Sequence, residues 1–494
     1  MLRSIAARAA RTGSFPSLAH RPCAPALLPG FRPPSHFRPY VTPPGEPTVN
    51  AEAPPLQWPR PRPKDGIGRE RLILEMPSGA ETKFSWVWLR DHCREDRSVH
   101  PKTKQRLVDA FKIPPDIRPE KVRDEEEGLY ITWPAYGNET SYESFYPWSF
   151  LVKYAYDPPM TRKSDFKSER PRHRTWTKTI GAKPPTVTYE EVMESEEGVY
   201  EWLKRIDIFG FSFVTGVPAT PDATEALIRR IAFIRETHYG GFWDFTANLE
   251  HGDLAYSDVR LEAHTDTTYF TDACGLQLFH LLSPADTHTG GHNLLVDGFR
   301  AASALKNRSP KCYKLLSEVC VGAHASGSGS ASHPSGVHMR PLRSYPVFNH
   351  DERGDLVQVR WNGDDRAPIG GGGFSRTKVD QWYKAVRAWE NVLRSDEAQL
   401  WTKMEPGTAI IFDNHRVLHG RSAFTGTRRL CGAYISGDDY RSRLRGLEKQ
   451  FGKAEGNFPA AYWVGRKGVE GAMDRLGIKR GKKVEGKEAW EDFL

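Results

Sequence analysis

Two short patterns in this chain set a histidine two residues before an aspartate: His251-Gly-Asp253 and His264-Thr-Asp266. Such a pair, joined by a second histidine from a distant segment, can hold a divalent metal on one face. Three positions then stay open for a co-substrate and oxygen, which suits Fe(II). The chain has 17 His, so the local pattern alone decides little between the two pairs. The distal histidine is better framed. Asp413-Asn-His415-Arg-Val-Leu-His419-Gly-Arg421 follows a Pro406-Gly407 turn and the apolar run Thr408–Phe412. A strand there holds a ligand rigidly, but alternation places 413, 415, 417 and 419 on one face while it lasts, so His415 and His419 both remain candidates.

Cations and aromatics add to this. A dicarboxylate that chelates iron through a keto-acid end needs a cation for its other carboxylate, and the forked guanidinium of arginine suits it. Arg428 follows the turn Phe424–Thr427, with Arg429 and Arg421 as alternatives. Tyr239-Gly-Gly-Phe-Trp243 places two aromatics four residues apart, followed by Tyr256. Aromatics so spaced are ordinarily core residues, although ring faces can also attract a cation by about 0.5–2 kcal/mol each.

The elements that must position these residues are legible in outline. Short apolar bursts (Leu72–Leu74, Phe84–Leu89, Leu129–Trp133, Tyr142–Trp148) separated by turn-formers predict a small β domain over 66–155. A polar, basic linker is expected over 156–186. A larger domain over 187–440 contains a helix opened by Thr220-Pro221 and strands at Gly275–Leu282, Leu294–Asp297, Thr408–Phe412 and Arg429–Ser436. It also contains a loop at 322–336 and a helix over Lys378–Met404 with apolar residues at i, i+3 and i+7. Strands around the site with helices outside predict a mainly β domain, a sandwich or jelly roll with helical cover. Residues 441–494 read as a charged C-terminal extension.

Charge and targeting follow. Lys+Arg number 70 and Asp+Glu 62, a formal charge of +8. Residues 1–45 hold six Arg and no acid, the pattern of a mitochondrial transit peptide, and a Pro-rich linker over 46–65 follows. Without residues 1–50 the chain has 64 basic and 61 acidic residues, so no nucleic-acid partner is expected. Six Cys exclude a disulfide scaffold, and no apolar run is long enough for a membrane span.

Taken together, the segments resemble the Fe(II)- and 2-oxoglutarate-dependent dioxygenases of the γ-butyrobetaine hydroxylase/taurine dioxygenase superfamily. The resemblance covers roughly 66–440. It is carried by His264–Phe270, Gly275–His280, Leu294–Phe299, Asp413–Arg421 and Arg429–Tyr434, with Trp86–Cys93 similar to the start of the family's N-terminal β domain. It implies a double-stranded β-helix and iron held by His264, Asp266 and His419. It implies 2-oxoglutarate held by Arg428, with Arg421 beside it, O2 as co-substrate and ascorbate as reductant. The implied substrate is trimethyllysine, hydroxylated at C3 in the mitochondrial matrix as the first step of carnitine biosynthesis, with succinate and CO2 released. γ-Butyrobetaine is the alternative substrate. An inactive β-helix binding module is the alternative of another class, against which the complete donor set argues. Tyr239, Trp243 and Tyr256 fall at the family's aromatic-cage positions; Asp253 would pair with the substrate's α-ammonium and Asn362 with its carboxylate. A homodimer is left open. Two departures stand out. Asn293 occupies a position where relatives often carry Thr or Ser near the co-substrate. Cys93 is the only cysteine in 66–155, so the zinc site of some relatives is not expected.

Overall fold

The strand Leu276–Leu281 shows how the larger domain is layered. Its side chains alternate between two faces. Leu276 and Leu278 enter one apolar cluster and Leu281 another. The same split runs through the neighbouring strands. Ala409, Ile411, Ala433 and Ile435 face outward, while Ile410, Phe412 and Leu430 face inward. Strands buried on both faces read as nearly continuous apolar runs, and each fully buried Leu, Ile or Phe contributes about 1.5–3 kcal/mol.

The chain is seen in a computed structural model that describes residues 61–64, 70–161, 173–246, 258–284, 286–327, 336–352, 354–370, 374–451 and 471–478. The Arg-rich leader, most of the Pro-rich linker, and His251, Asp253 and Tyr256 lie outside the described residues.

Two sheets face each other. The larger has the order Thr186–Thr188, Phe211–Thr215, Thr408–Asp413, Leu276–Leu281, Arg429–Ile435, Trp243–Thr246. The smaller has the order Leu261–His264, Val417–Arg421, Asn293–Asp297, Leu400–Thr402. Phe211, Phe412 and Leu430 of the first pack with Leu295, Leu400 and Val417 of the second. Helices Glu196–Phe209, Pro221–Arg229 and Gly437–Phe451 cover the large sheet, and Gly298–Arg308, Pro310–Glu318 and Arg376–Leu393 cover the small one. This is the double-stranded β-helix with flanking helices expected from the resemblance.

The N-terminal unit contains two three-stranded antiparallel sheets and the helices Trp86–Asp91 and Trp148–Tyr154 around one core. Two expected strands are therefore shorter than read. Phe84 and Ser85 end a strand and Trp86 begins a helix, whose Trp86 and Leu89, three apart, are both buried. The strand from Tyr142 likewise stops at Pro147.

Other expectations are corrected. The helix read as Lys378–Met404 runs Arg376–Leu393, capped by Ser375, and Leu400–Thr402 is an edge strand of the small sheet. The loop at 322–336 contains the strand Ala325–Gly327, paired with Val337–Met339. The end of the expected linker 156–186 is structured: Trp176 is buried in the inter-sheet core and donates its backbone N–H to Asp297. Nor is the stretch 441–494 wholly a tail. Tyr440, Leu444 and Leu447 of the helix Gly437–Phe451 pack on the large sheet, and Ala472, Met473 and Leu476 join the N-terminal core.

Candidate active site

His264 ends the strand Leu261–His264 and pairs in register with His419, in the middle of Val417–Arg421. Gly420 permits that pairing, because a Cβ there would lie 2.6 Å from the Leu261 carbonyl oxygen. The expected alternation through 413–419 is broken. The strand stops at Asp413, residues 414–416 turn, and a new strand starts at Val417. The turn is pinned by a buried bidentate ion pair: Arg416 donates from Nε and Nη2 to Asp297 at 3.2 and 2.9 Å. Asp297 also caps the helix Gly298–Arg308. His415 consequently lies 3.2 Å from the Ala273 carbonyl, away from the metal cluster, and His419 is the histidine brought to His264.

The donor atoms of His264, Asp266 and His419 lie within 4.8 Å of one another, the one such group of three or more among the described residues. Asp266 Oδ1 is 3.2 Å from His264 Nε2 and 3.6 Å from His419 Nε2. Adjacent ligand atoms on an ion with bonds of about 2.1 Å sit roughly 3 Å apart, so little movement is needed to hold a metal. His264 Nδ1 donates to the Glu262 carbonyl at 2.7 Å, which turns Nε2 toward the cluster as the nitrogen that a metal would use. Asp266 Oδ2 accepts from Gln277 Nε2 at 2.7 Å and Tyr434 Oη at 2.8 Å. One carboxylate oxygen is thus occupied and the other faces the cluster. The backbone of Asp266 is clamped by Asn414, which accepts from its N–H at 2.7 Å and donates to its carbonyl at 3.0 Å. Thr267 follows at φ +57°, a strained conformation for a β-branched residue, with its hydroxyl accepting from the Cys274 N–H.

The charges fit a site built for a cation. Burial disfavours charge on His264, but its hydrogen bond and attraction to Asp266 outweigh this and raise it to about 9. Burial pushes His419 down to about 3. Burial also opposes ionisation of Asp266, yet the two histidines hold it well below the usual carboxylate range. A divalent ion would replace the shared proton and satisfy all three groups.

A cavity of about 370 Å³ opens onto the cluster. Arg428 and Arg421 line one part of it. Arg428 is 3% exposed; burial, with Arg421 close by, lowers its guanidinium to about 9, and an incoming carboxylate would relieve both effects. Arg428 Nη2 donates to Asn293 Oδ1 at 3.2 Å. Asn293 thus orients the arginine. Gly291, at φ +67°, lets the chain pass beside it, since a Cβ would lie 3.3 Å from Arg428 Nε. Arg421 donates to the Val259 carbonyl at 2.9 Å. Arg429 is excluded: it makes an exposed bidentate pair with Asp244.

Tyr239 and Trp243 line the same cavity, and so do Tyr269 and Tyr434. Tyr239 Oη lies 3.0 Å from Tyr269 Oη, and the Trp243 ring meets Tyr434 edge-on at 5.9 Å. Asn362 also lines the cavity, but its side chain is engaged in its own turn, accepting from the N–H groups of Asp364 and Asp365 and donating to the Asp365 carboxylate. Sequence reasoning missed Gln277, Asn414 and Tyr434 as supports of Asp266. Gln277 had a signal, a polar side chain between Leu276 and Leu278 in an apolar strand; Asn414 and Tyr434 had none beyond their nearness to candidate residues.

A double-stranded β-helix with two histidines, an aspartate and a buried arginine around one cavity is the architecture of an Fe(II)- and 2-oxoglutarate-dependent dioxygenase. The chain belongs to the taurine catabolism dioxygenase TauD, TfdA family, whose model matches residues 171–434, and residues 68–152 match the gamma-butyrobetaine hydroxylase-like N-terminal family. The chain is 41% identical to a trimethyllysine dioxygenase of Neurospora crassa, across 78% of this chain and 85% of that protein. It is 39% identical to a mitochondrial trimethyllysine dioxygenase of Gallus gallus, across 74% and 84%. A gamma-butyrobetaine dioxygenase of Pseudomonas sp. is 28% identical, across 75% and 92%.

Proposed function

We propose that the protein hydroxylates trimethyllysine at C3, the entry to carnitine synthesis, with 2-oxoglutarate and O2 consumed and succinate and CO2 released. The observation that carries this is the 41% identity to a trimethyllysine dioxygenase over 85% of that relative, against 28% to a gamma-butyrobetaine dioxygenase.

His264, Asp266 and His419 would hold Fe(II). Bound iron, with 2-oxoglutarate and O2, supplies the oxidising power that replaces a C–H bond by C–OH. The chain's own residues do the rest. Gln277 and Tyr434 fix the Asp266 carboxylate so that one oxygen faces the metal. Arg428, aimed by Asn293, takes the far carboxylate of 2-oxoglutarate, and Arg421 adds positive charge beside it. Tyr239 and Trp243 present ring faces to the trimethylammonium group; Tyr256, the third residue implied by the resemblance, lies outside the described residues. This grip must bring C3, not a methyl carbon, to the metal, because oxidation of a methyl group would release formaldehyde instead. Ascorbate would serve as reductant. The Arg-rich leader and the mitochondrial relative of Gallus gallus support a matrix location.

The test is anaerobic reconstitution with Fe(II) and 2-oxoglutarate, then O2, with succinate release compared for trimethyllysine and γ-butyrobetaine. Faster turnover of trimethyllysine with a product one oxygen heavier is expected. Equal low turnover of both, or formaldehyde as product, overturns the reading.

A further inference from the structure

We propose that Asp365 anchors the primary ammonium group of the substrate, and so sets a preference for an α-amino acid over an ω-ammonium carboxylate that lacks it. The inference rests on the proposed function and names, among the described residues, a carboxylate that reads the amino-acid end; Asp253, expected in that role from the resemblance, lies outside them.

The two cationic ends of trimethyllysine make opposite demands. The quaternary nitrogen has no proton to donate and is held by ring faces. The α-ammonium has three donors and needs an oxygen acceptor when it leaves water. The reacting carbon sets where that acceptor must be. The α-nitrogen is two bonds from C3, about 2.5 Å away, so its partner has to stand close to the metal ligands.

The chain brings one carboxylate there by a specific path. Trp361 and Thr265 are tied by three hydrogen bonds: Thr265 N–H and Oγ1 donate to the Trp361 carbonyl at 2.7 and 3.3 Å, and Trp361 N–H donates to Thr265 Oγ1 at 3.0 Å. The segment after Trp361 therefore runs beside the segment that carries His264 and Asp266. Asn362 then turns the chain, and the Asp365 carboxylate receives Asn362 Nδ2 at 2.8 Å and Thr268 Oγ1 at 3.4 Å. The Asp365 carbonyl accepts from the His324 N–H at 2.8 Å, which secures the other side. The carboxylate so held lines the cavity shared by His264, Tyr239 and Trp243. Two other carboxylates line it among the described residues: Asp266 belongs to the metal set, and Asp364 is exposed. A half-buried anion here favours an ammonium and repels the lone carboxylate end of γ-butyrobetaine.

The test compares trimethyllysine with 6-(trimethylammonio)hexanoate, the same chain without the α-ammonium, in full-length wild type, Asp365→Asn and Asp365→Glu. Wild type should favour trimethyllysine. In Asp365→Asn the ratio of the two kcat/KM values should fall about 10- to 100-fold, the loss expected for a hydrogen bond to a charged group. Asp365→Glu should recover part of it. A loop-supporting role alone would depress both substrates together, so an unchanged ratio overturns the inference and leaves the proposed function standing. Wild type inactive on both compounds overturns the proposed function and this inference with it.

Discussion

Replacing Gln277 by Leu should separate metal affinity from fold stability. Gln277 is 2% exposed, and its Nε2 donates to Asp266 Oδ2 at 2.7 Å, sharing that oxygen with Tyr434. A hydrogen bond to a charged group is worth about 1.5–3 kcal/mol, and partners that orient a ligand typically carry about 10- to 100-fold in metal affinity. The other end of the side chain works against stability, because Oε1 is buried without a hydrogen-bond partner. Leu removes that unmet acceptor, which offsets about 1–3 kcal/mol. The expected outcome is a 10- to 100-fold weaker Mn(II) or anaerobic Fe(II) titration with a melting midpoint of the metal-free protein changed by a few degrees at most. Gln277→Leu combined with Tyr434→Phe leaves Oδ2 without either donor, so the pair should be non-additive. Metal affinity within twofold of wild type in Gln277→Leu would refute the reasoning.

Three further outcomes are expected. Asn293→Ala should raise KM for 2-oxoglutarate about 2- to 10-fold with kcat nearly unchanged, because it removes one neutral acceptor from Arg428; Arg428→Ala should raise it by about 100-fold. Trp243→Leu should raise KM for trimethyllysine about 3- to 30-fold while leaving KM for 2-oxoglutarate within twofold, as steady-state kinetics would show. Glu448→Gln should stabilise the protein in alkali but not in acid. Burial, with Asp207 adding to it, pushes the Glu448 carboxyl up to about 7 from 4.5, so its ionisation in the folded state costs stability, a penalty absent below about 4.5 and complete above about 7. Thermal melts should show a gain of about 1 kcal/mol at pH 8 that vanishes at pH 4.5, a figure discounted for partial exposure.

What was legible in the chain was what periodicity and residue chemistry express locally. The strands at 276–281, 293–297, 408–413 and 429–435 are apolar on both faces and bounded by turn-formers, so they read correctly to within a residue or two. Trp86–Leu89 misled because four large apolar residues in a row carry no period, and only packing decides that Trp86 and Leu89 share a helical face. The helix from Arg376 was read too long because nothing in 394–404 punctuates it strongly, while pairing of Leu400–Thr402 with Asn293–Leu295 is a long-range event. His415 and His419 could not be separated by alternation, because the turn between them depends on Arg416 reaching Asp297, more than a hundred residues away. Asp365 was invisible for the same reason: its place beside Thr268 follows from the pairing of Trp361 with Thr265.

The places where local rules fail coincide with the segments that carry the donor set. Thr267 holds a left-handed conformation directly after Asp266, a cost of about 1–3 kcal/mol. The Arg416–Asp297 pair is buried completely below the strand that delivers His419, where desolvation consumes much of its attraction. Neither feature is an efficient source of stability, and the two-sheet core and its helical covers must offset both. What they provide is position. Asn414, standing in the turn set by Arg416, clamps both backbone groups of Asp266, so the strain at Thr267 and the buried pair act on one joint. That joint brings the histidines of one strand pair and the carboxylate of the adjoining turn within 4 Å of one another. A site so assembled needs little rearrangement when iron enters, and the cavity beside it can be shaped for its two organic substrates independently of the metal.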